Sequence, residues 1–368
     1  MPATKKINPM RCRTVQNDPR FRSGRLWRVG AAFAALALLP ASPFGAQHSV
    51  ATPFALTSDP RIVLPLGAEN AWDAHTIYGP SIVRQGDTWH LLYSGNRVVE
   101  SADPTRNMGL GYAISKDAGL TWAKQGDAPL LQHPRLRRAT VGSWSLIDGK
   151  WILLYTVPRP DFYSTGSVYL AISEHGPEGP WNGPDEPVLR VPGGAWFEAI
   201  MPLDLFRVEQ QYRLYFYGRQ GKNGLAGYGL ATSIDLMHWE LYNDPSTNQP
   251  SLAISDPIVR VGDKQAWDGV AISSASVLRD GEGWELFYVG YDRPISQRGA
   301  ELKPLALGRA TSPDGIRWAK DPGNPVLPTN QTIWPLFEVL REGSTYVFLH
   351  DTSGGRAGFS RFTAKRTN

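Results

Sequence analysis

Three acids stand beside tryptophans at recurring places in this chain. Asp73 follows Trp72, Asp268 follows Trp267, and Glu198 lies two residues after Trp196. Carboxyl groups brought together from distant stretches of chain can divide labour: one protonates a leaving oxygen while another activates water or attacks carbon. Crowding then raises the pKa of one and leaves the other ionised. Asp73 and Glu198 suit that pair, with Asp268 tuning their protonation or holding a hydroxyl. The bland alternative is that Trp-Asp is a repeated structural device, its acid tying down a loop or pairing with an arginine. Arginines recur as well. Arg97, Arg159, Arg219, Arg293 and Arg356 are spread along the chain at comparable repeat positions. A ring of such guanidinium groups would grip a carboxylate, sulfate or phosphate, unless Asp161, Asp292 and the three acids neutralise it. His75, Tyr78, His350 and Asp351 are further candidates for substrate contact. The histidines are too scattered to argue a metal site, and no cofactor is expected.

These residues are positioned by an internal repeat. Trp72–Gly95 (WDAHTIYGPSIVRQGDTWHLLYSG) matches Trp267–Gly290 (WDGVAISSASVLRDGEGWELFYVG) in length and pattern, and Trp196–Gly218 is a third copy. Weaker copies contain SWSLIDGKWILLY and WPLFEVLREGSTYVFLH. Each is followed by a second half in which small and apolar residues alternate up to a Ser, a turn and a Trp, as in GLGYAISKDAGLTW. Two hairpins per repeat predict a four-stranded blade, and five repeats predict an all-β, five-bladed propeller. The last repeat lacks its outer "PVL" strand, which stands instead at the front as DPRIVLPL (59–66). An N-terminal strand completing the last blade would close the ring and hide the sheet edges. A β-sandwich, the structural rival, does not explain that displaced strand.

Strand order puts the short A–B and C–D turns on one face and the long D–A and B–C connections on the other. Sites favour long loops on a rigid scaffold. The C–D turn Ser115–Trp122 fits the Asp-box S-x-D-x-G-x-T-W, and Ser312–Trp318 is a shortened form. Its aspartate is expected to serve its own turn rather than a ligand.

Residues 1–46 read as a secretory signal: a basic stretch, an apolar run from Val29 to Leu39, then small residues to Ala46. A linker would follow at 47–58 and the propeller at 59–368, giving a secreted or periplasmic protein with no membrane span after cleavage. The leader holds eight basic residues and one acid, so without it the net +4 becomes −3. Nucleic-acid binding thereby loses its support. Cys12, the only cysteine, lies in the leader too, which excludes disulfides and thiol chemistry downstream. The sequence leaves oligomeric state open.

The string "W-D … P-S-I-V-R-x-G … W-x-L-x-Y-S-G … G-Y-A-I-S-K-D-x-G-x-T-W" resembles the five-bladed propeller glycosidases: arabinanases, β-xylosidases, invertases and β-mannoside phosphorylases. The resemblance covers about residues 59–365 and implies a carbohydrate substrate. It departs from the arabinanase and β-xylosidase pattern of glycoside hydrolase family 43 at the site. Where that family's general base stands in D-P-x-V-I-R-x-G, this chain has Gly79; the matching positions in the second and third blades are Gly142 and Met201. The first expectation is a glycoside hydrolase with paired carboxylates in the funnel. The alternatives are a catalytically silent glycan-binding propeller, and a phosphorylase or enzyme for an anionic glycan.

Overall fold

The computed structural model describes residues 53–97, 108–130, 139–157, 166–220, 226–281, 283–291, 306–327, 336–352 and 355–367. Among these, twenty-one strands form five antiparallel sheets, the blades of a β-propeller. Blade 1 runs from the axis outward as β2 (Thr76–Gln85), β3 (Thr88–Asn96), β4 (Met108–Ser115) and β5 (Ala123–Lys124). Blade 2 repeats this with β6 (Thr140–Ile147), β7 (Lys150–Thr156), β8 (Ser167–Ser173) and β9 (Leu189–Arg190). Blade 3 holds β10 (Ala199–Val208), β11 (Gln211–Arg219) and β12 (Ala226–Ser233), with β13 (Glu240–Leu241) and β14 (Val259–Arg260) pairing to different parts of β12. Blade 4 holds β15 (Ala271–Asp280), β16 (Gly283–Tyr291), β17 (Ala306–Ser312) and β18 (Ala319–Lys320). In the last sheet β19 (Phe337–Glu342), β20 (Thr345–Asp351) and β21 (Phe359–Arg366) are joined by β1 (Phe54–Leu64), with Phe54 opposite Arg366. The leader expected at 1–46 lies outside the described residues.

The repeat has a packing reason. The two middle strands of each blade are covered by neighbouring blades on both faces, so β3 and β16 are buried almost end to end. Large aromatics there require gaps opposite them. A side chain at Gly111 would sit 2.3 Å from the Tyr93 ring, and one at Gly229 would sit 2.2 Å from the Phe216 ring. Trp72 stacks on Tyr93 at 5.9 Å and Trp267 on Tyr288 at 5.5 Å, each over a neighbouring glycine. The spacing Trp…Tyr-x-Gly in the sequence is the imprint of these contacts.

Adjacent blades are tied near the axis by one recurrent device. The side chain at a fixed position of one innermost strand accepts a hydrogen bond from the backbone of the next. Ser81 Oγ accepts from Trp144 N–H at 3.1 Å, Asp204 Oδ2 from Val277 N–H at 2.8 Å, and Ser276 Oγ from Val339 N–H at 3.1 Å. The Asp-box serves its own turn, as its sequence implies. Asp117 accepts from Thr121 N–H at 2.9 Å and from the hydroxyls of Thr121 and Ser115. Slight burial pushes its carboxyl up, but these bonds outweigh it and lower the pKa to about 2. Asp314 in blade 4 and Asp235 in blade 3 cap their turns in the same way.

Removing a clasp leaves a buried backbone N–H without its acceptor. Ser276→Ala is expected to cost about 1–3 kcal/mol, read as a lower urea midpoint with an unchanged m-value.

Candidate functional site

The three acids near tryptophans part company in the structure. Asp73 is 2% exposed, and its Oδ2 accepts from Tyr93 Oη at 2.9 Å and Lys124 Nζ at 2.7 Å. Asp268 repeats this in blade 4: 2% exposed, with Tyr288 Oη at 2.9 Å and Lys320 Nζ at 2.5 Å. Burial first, and then the adjacent carboxylate, raise both tyrosines well above their ordinary range, so they stay as donors. Each aspartate thus fastens the loop entering a blade to that blade's second and outermost strands. These are the contacts that the repeat-device alternative describes, each carboxylate bonded within its own blade. Glu198 differs. It is exposed just ahead of β10, with its backbone N–H donating to the Arg219 carbonyl at 2.9 Å.

The lysines that partner Asp73 and Asp268 were missed, although a signal exists. Trp122-Ala123-Lys124 and Trp318-Ala319-Lys320 share the tripeptide Trp-Ala-Lys, and they occur in the two blades that begin with Trp-Asp. Blade 3, which begins Trp196-Phe197, has Trp239-Glu240-Leu241 there instead.

The remaining candidates are distributed around the face of long connections. His75 and Arg356 are exposed. Arg97 is exposed and donates to the Asn70 carbonyl at 3.4 Å. Arg219 is half-buried at the end of β11. Arg159, Asp161, Asp292 and Arg293 lie outside the described residues. His350 and Asp351, at the end of β20, are almost fully enclosed. His350 Nδ1–H donates to the Asp351 carbonyl at 2.9 Å, and burial lowers the imidazole to about 4, so the ring is neutral. Burial raises the Asp351 carboxyl to about 8 against the opposing pull of backbone hydrogen bonds. Its Oδ1, the Nε2 of His350 and the hydroxyl of Tyr78 are buried without a partner among the described residues. Tyr78, on β2, belongs to the adjoining blade, and the connection after β20 reaches it: Ile77 N–H donates to the Gly355 carbonyl at 2.9 Å.

The innermost strands are irregular at this end. Register shifts fall between Tyr78 and Ser81, Thr140 and Gly142, Pro202 and Asp204, and Ile272 and Ala275. Such bulges re-aim side chains and are frequent beside active sites. Gly79 sits in the first of them at φ +64°. Deeper in, Asp204 and Glu338 occupy the clasp position that serine fills in the other three blades. Burial raises Asp204 to about 7, partly offset by the Val277 N–H, while burial and then the charge of Asp204 raise Glu338. Among the described residues no three His, Cys, Asp or Glu side chains cluster to hold a metal ion.

No family model matches the chain, and no curated protein matches it either. Solved structures do. One described as a glycoside hydrolase aligns with a TM-score of 0.59 at 17% identity, over 85% of this chain and 91% of that one. A family 117 glycoside hydrolase from the marine bacterium Zobellia galactanivorans aligns at 0.56 and 17% identity, over 84% and 91%. A structure from the mannoside phosphorylase family 130, reported to contain hydrolases of β-1,2 mannosidic linkages in Candida mannan, aligns at 0.58 and 14%, over 89% and 95%. The chain has their fold. Within this propeller fold, the described residues offer one enclosed carboxyl at the face of long connections with an oxygen lacking a partner among them, Asp351, and one exposed acid just ahead of the innermost strand of blade 3, Glu198.

Asp73→Asn and Asp268→Asn each strip the charge that a lysine and a buried tyrosine share. Either substitution is expected to destabilise by about 2–4 kcal/mol, measured by thermal or urea unfolding. Lys124→Met is expected to lower stability in the same direction, and it does not alter Asp73 itself.

Proposed function

We propose that this chain is a glycoside hydrolase acting at the mouth of the propeller, with Asp351 as proton donor and Glu198 as the second carboxyl. The observation that carries this is Asp351. An acid that burial holds protonated near neutral pH, with an oxygen lacking a partner among the described residues, is suited to protonate a glycosidic oxygen. Glu198 immediately precedes the innermost strand of blade 3, and its exposure suits it to activate water or attack carbon. Arg219, whose carbonyl accepts the Glu198 N–H, would orient substrate oxygens in this reading. The fold shared with glycoside hydrolases supports a carbohydrate substrate. The leader expected at 1–46 supports a place outside the cytoplasm, where polysaccharide would be met. The second possibility, a glycan-binding propeller without turnover, is favoured by Gly79, which leaves no carboxyl at the family 43 base position.

Screening on aryl glycosides and on plant, fungal and bacterial polysaccharides separates the two: one yields product, the other only affinity. In the hydrolase, Asp351→Asn and Glu198→Gln are each expected to lower kcat by roughly 10²–10⁴-fold while sugar binding persists. Full turnover in both variants would remove the proposal.

The pH behaviour follows from the same group. Asp351 keeps its proton in the folded state up to about 8, whereas the unfolded chain releases it near 3.8. Its contribution to stability is therefore complete below the unfolded value and is lost as pH rises towards 8. Activity is expected to fall above about pH 8 as the donor ionises. The decline in melting temperature between pH 5 and 8 is expected to be shallower in Asp351→Asn.

A further inference from the structure

On the opposite face, among the tight turns, a groove of about 750 Å³ opens between blades 4 and 5. Its size is within the range of roughly 300–1,000 Å³ typical of small-ligand sites. Five basic side chains line it (Arg309, Arg317, Arg341, Lys365 and Arg366) against two acids, Asp280 and Glu285. That excess stands out because the chain downstream of residue 46 carries a net −3.

The floor is fixed and the rim is not. Arg309 Nε donates to Glu285 at 3.0 Å and its Nη1 to Asp321 at 3.0 Å, while Tyr346 Oη donates to Glu285 at 2.9 Å. The Arg309 side chain is only 7% exposed, so this network is part of the wall. Arg341 pairs with Asp280 and lies over the Tyr346 ring at 5.6 Å. At the rim Arg317 is 88% exposed, with Asp314 no nearer than 3.7 Å. Lys365 and Arg366, exposed at the end of β21, have no carboxylate partner among the described residues. Thr311 and the exposed Ser344 add hydroxyls to the lining, whereas the Ser312 hydroxyl is committed to its own turn.

We propose that this groove is a second binding site, distinct from the mouth, for an acidic saccharide chain whose charge is carried by carboxylate or sulfate. Unspent cations on a rigid, hydrogen-bonded floor attract anions, and the hydroxyls of Thr311 and Ser344 match sugar oxygens. Single-stranded nucleic acid fits less well, because its binding needs accessible aromatic faces. Trp284 and Tyr346 are buried here, and Arg279 and Arg341 cover them. The preference for anions follows from the groove alone; the choice of a saccharide as carrier rests on the glycan function proposed above.

The test is calorimetric titration of the whole protein with four probes. These are an oligogalacturonate, a sulfated galactan oligosaccharide, a neutral oligosaccharide of equal length, and a single-stranded oligonucleotide of equal charge. Binding by one or both acidic saccharides is expected, weakening with salt, with the neutral probe inert. Lys365→Ala/Arg366→Ala is expected to weaken it at least tenfold, and Lys365→Glu/Arg366→Glu to abolish it. Both doubles alter exposed side chains, and their folding is checked by thermal unfolding. Asp351→Asn is expected to bind as the parent does, which separates this site from the mouth even if no glycan is cleaved there. No affinity for either acidic saccharide, unchanged affinity in both double variants, loss in Asp351→Asn, or equal affinity for the oligonucleotide would each overturn the proposal.

Discussion

Strands at the hub of a propeller cannot extend a common sheet, because neighbouring blades meet at an angle. Their inward edges must be joined by something shorter than a ladder. Here, on three of the innermost strands, a small polar side chain at one position takes up a backbone N–H of the next, as Ser81, Asp204 and Ser276 do. The clasp sets the spacing of the blades, and with it the width of the mouth where catalysis or binding would occur. It also accounts for the two acids at the hub. Asp204 substitutes for serine and keeps the clasp intact through one carboxylate oxygen, so a charge-bearing group enters the axis without loss of the joint.

Acidic side chains in this molecule do three kinds of work, and environment decides which. Asp73 and Asp268 are enclosed together with a lysine and a tyrosine, so their charge is spent on holding a loop. Asp117 is solvated and multiply hydrogen-bonded by its own turn, which keeps it ionised and local in effect. Asp351 is enclosed with only backbone hydrogen bonds to offset its burial, and the same desolvation that would penalise its charge retains its proton. Position in the repeat says little about this. What distinguishes the three is the company each carboxyl keeps.

The architecture was readable because the repeat imposes it. Trp, Tyr and Gly recur at spacings that only stacked, mutually covered strands would preserve, and the glycines mark where rings from the next strand intrude. The site was less readable, and for a related reason. A repeat makes equivalent residues look functional together, and the recurrence of Asp73 and Asp268 goes with a shared pair of partners, a tyrosine and a lysine in each blade. Trp-Ala-Lys in the same two blades was the sign that each aspartate had a partner. Asp351 has no counterpart at its position in the other blades, and what sets it apart is its burial at the end of the last blade's second strand. Asp204 and Glu338 break a serine pattern that is visible only once the innermost strands are aligned by structure.

The pairing of β1 with β21 joins residues some 305 positions apart, as in the bond from Thr363 N–H to Ser58 Oγ. A chain emerging from the ribosome presents Phe54–Leu64 long before its partner exists. For nearly the whole of synthesis that segment is an unpaired edge, able to seek other strands. Its exposed residues are largely polar or charged, among them Ser58, Asp59 and Arg61, which discourages such mispairing until the C-terminal strand arrives. The last sheet is thus assembled from the two segments of the domain that are made furthest apart in time, and its slowest step is expected to be that meeting rather than the formation of any single hairpin.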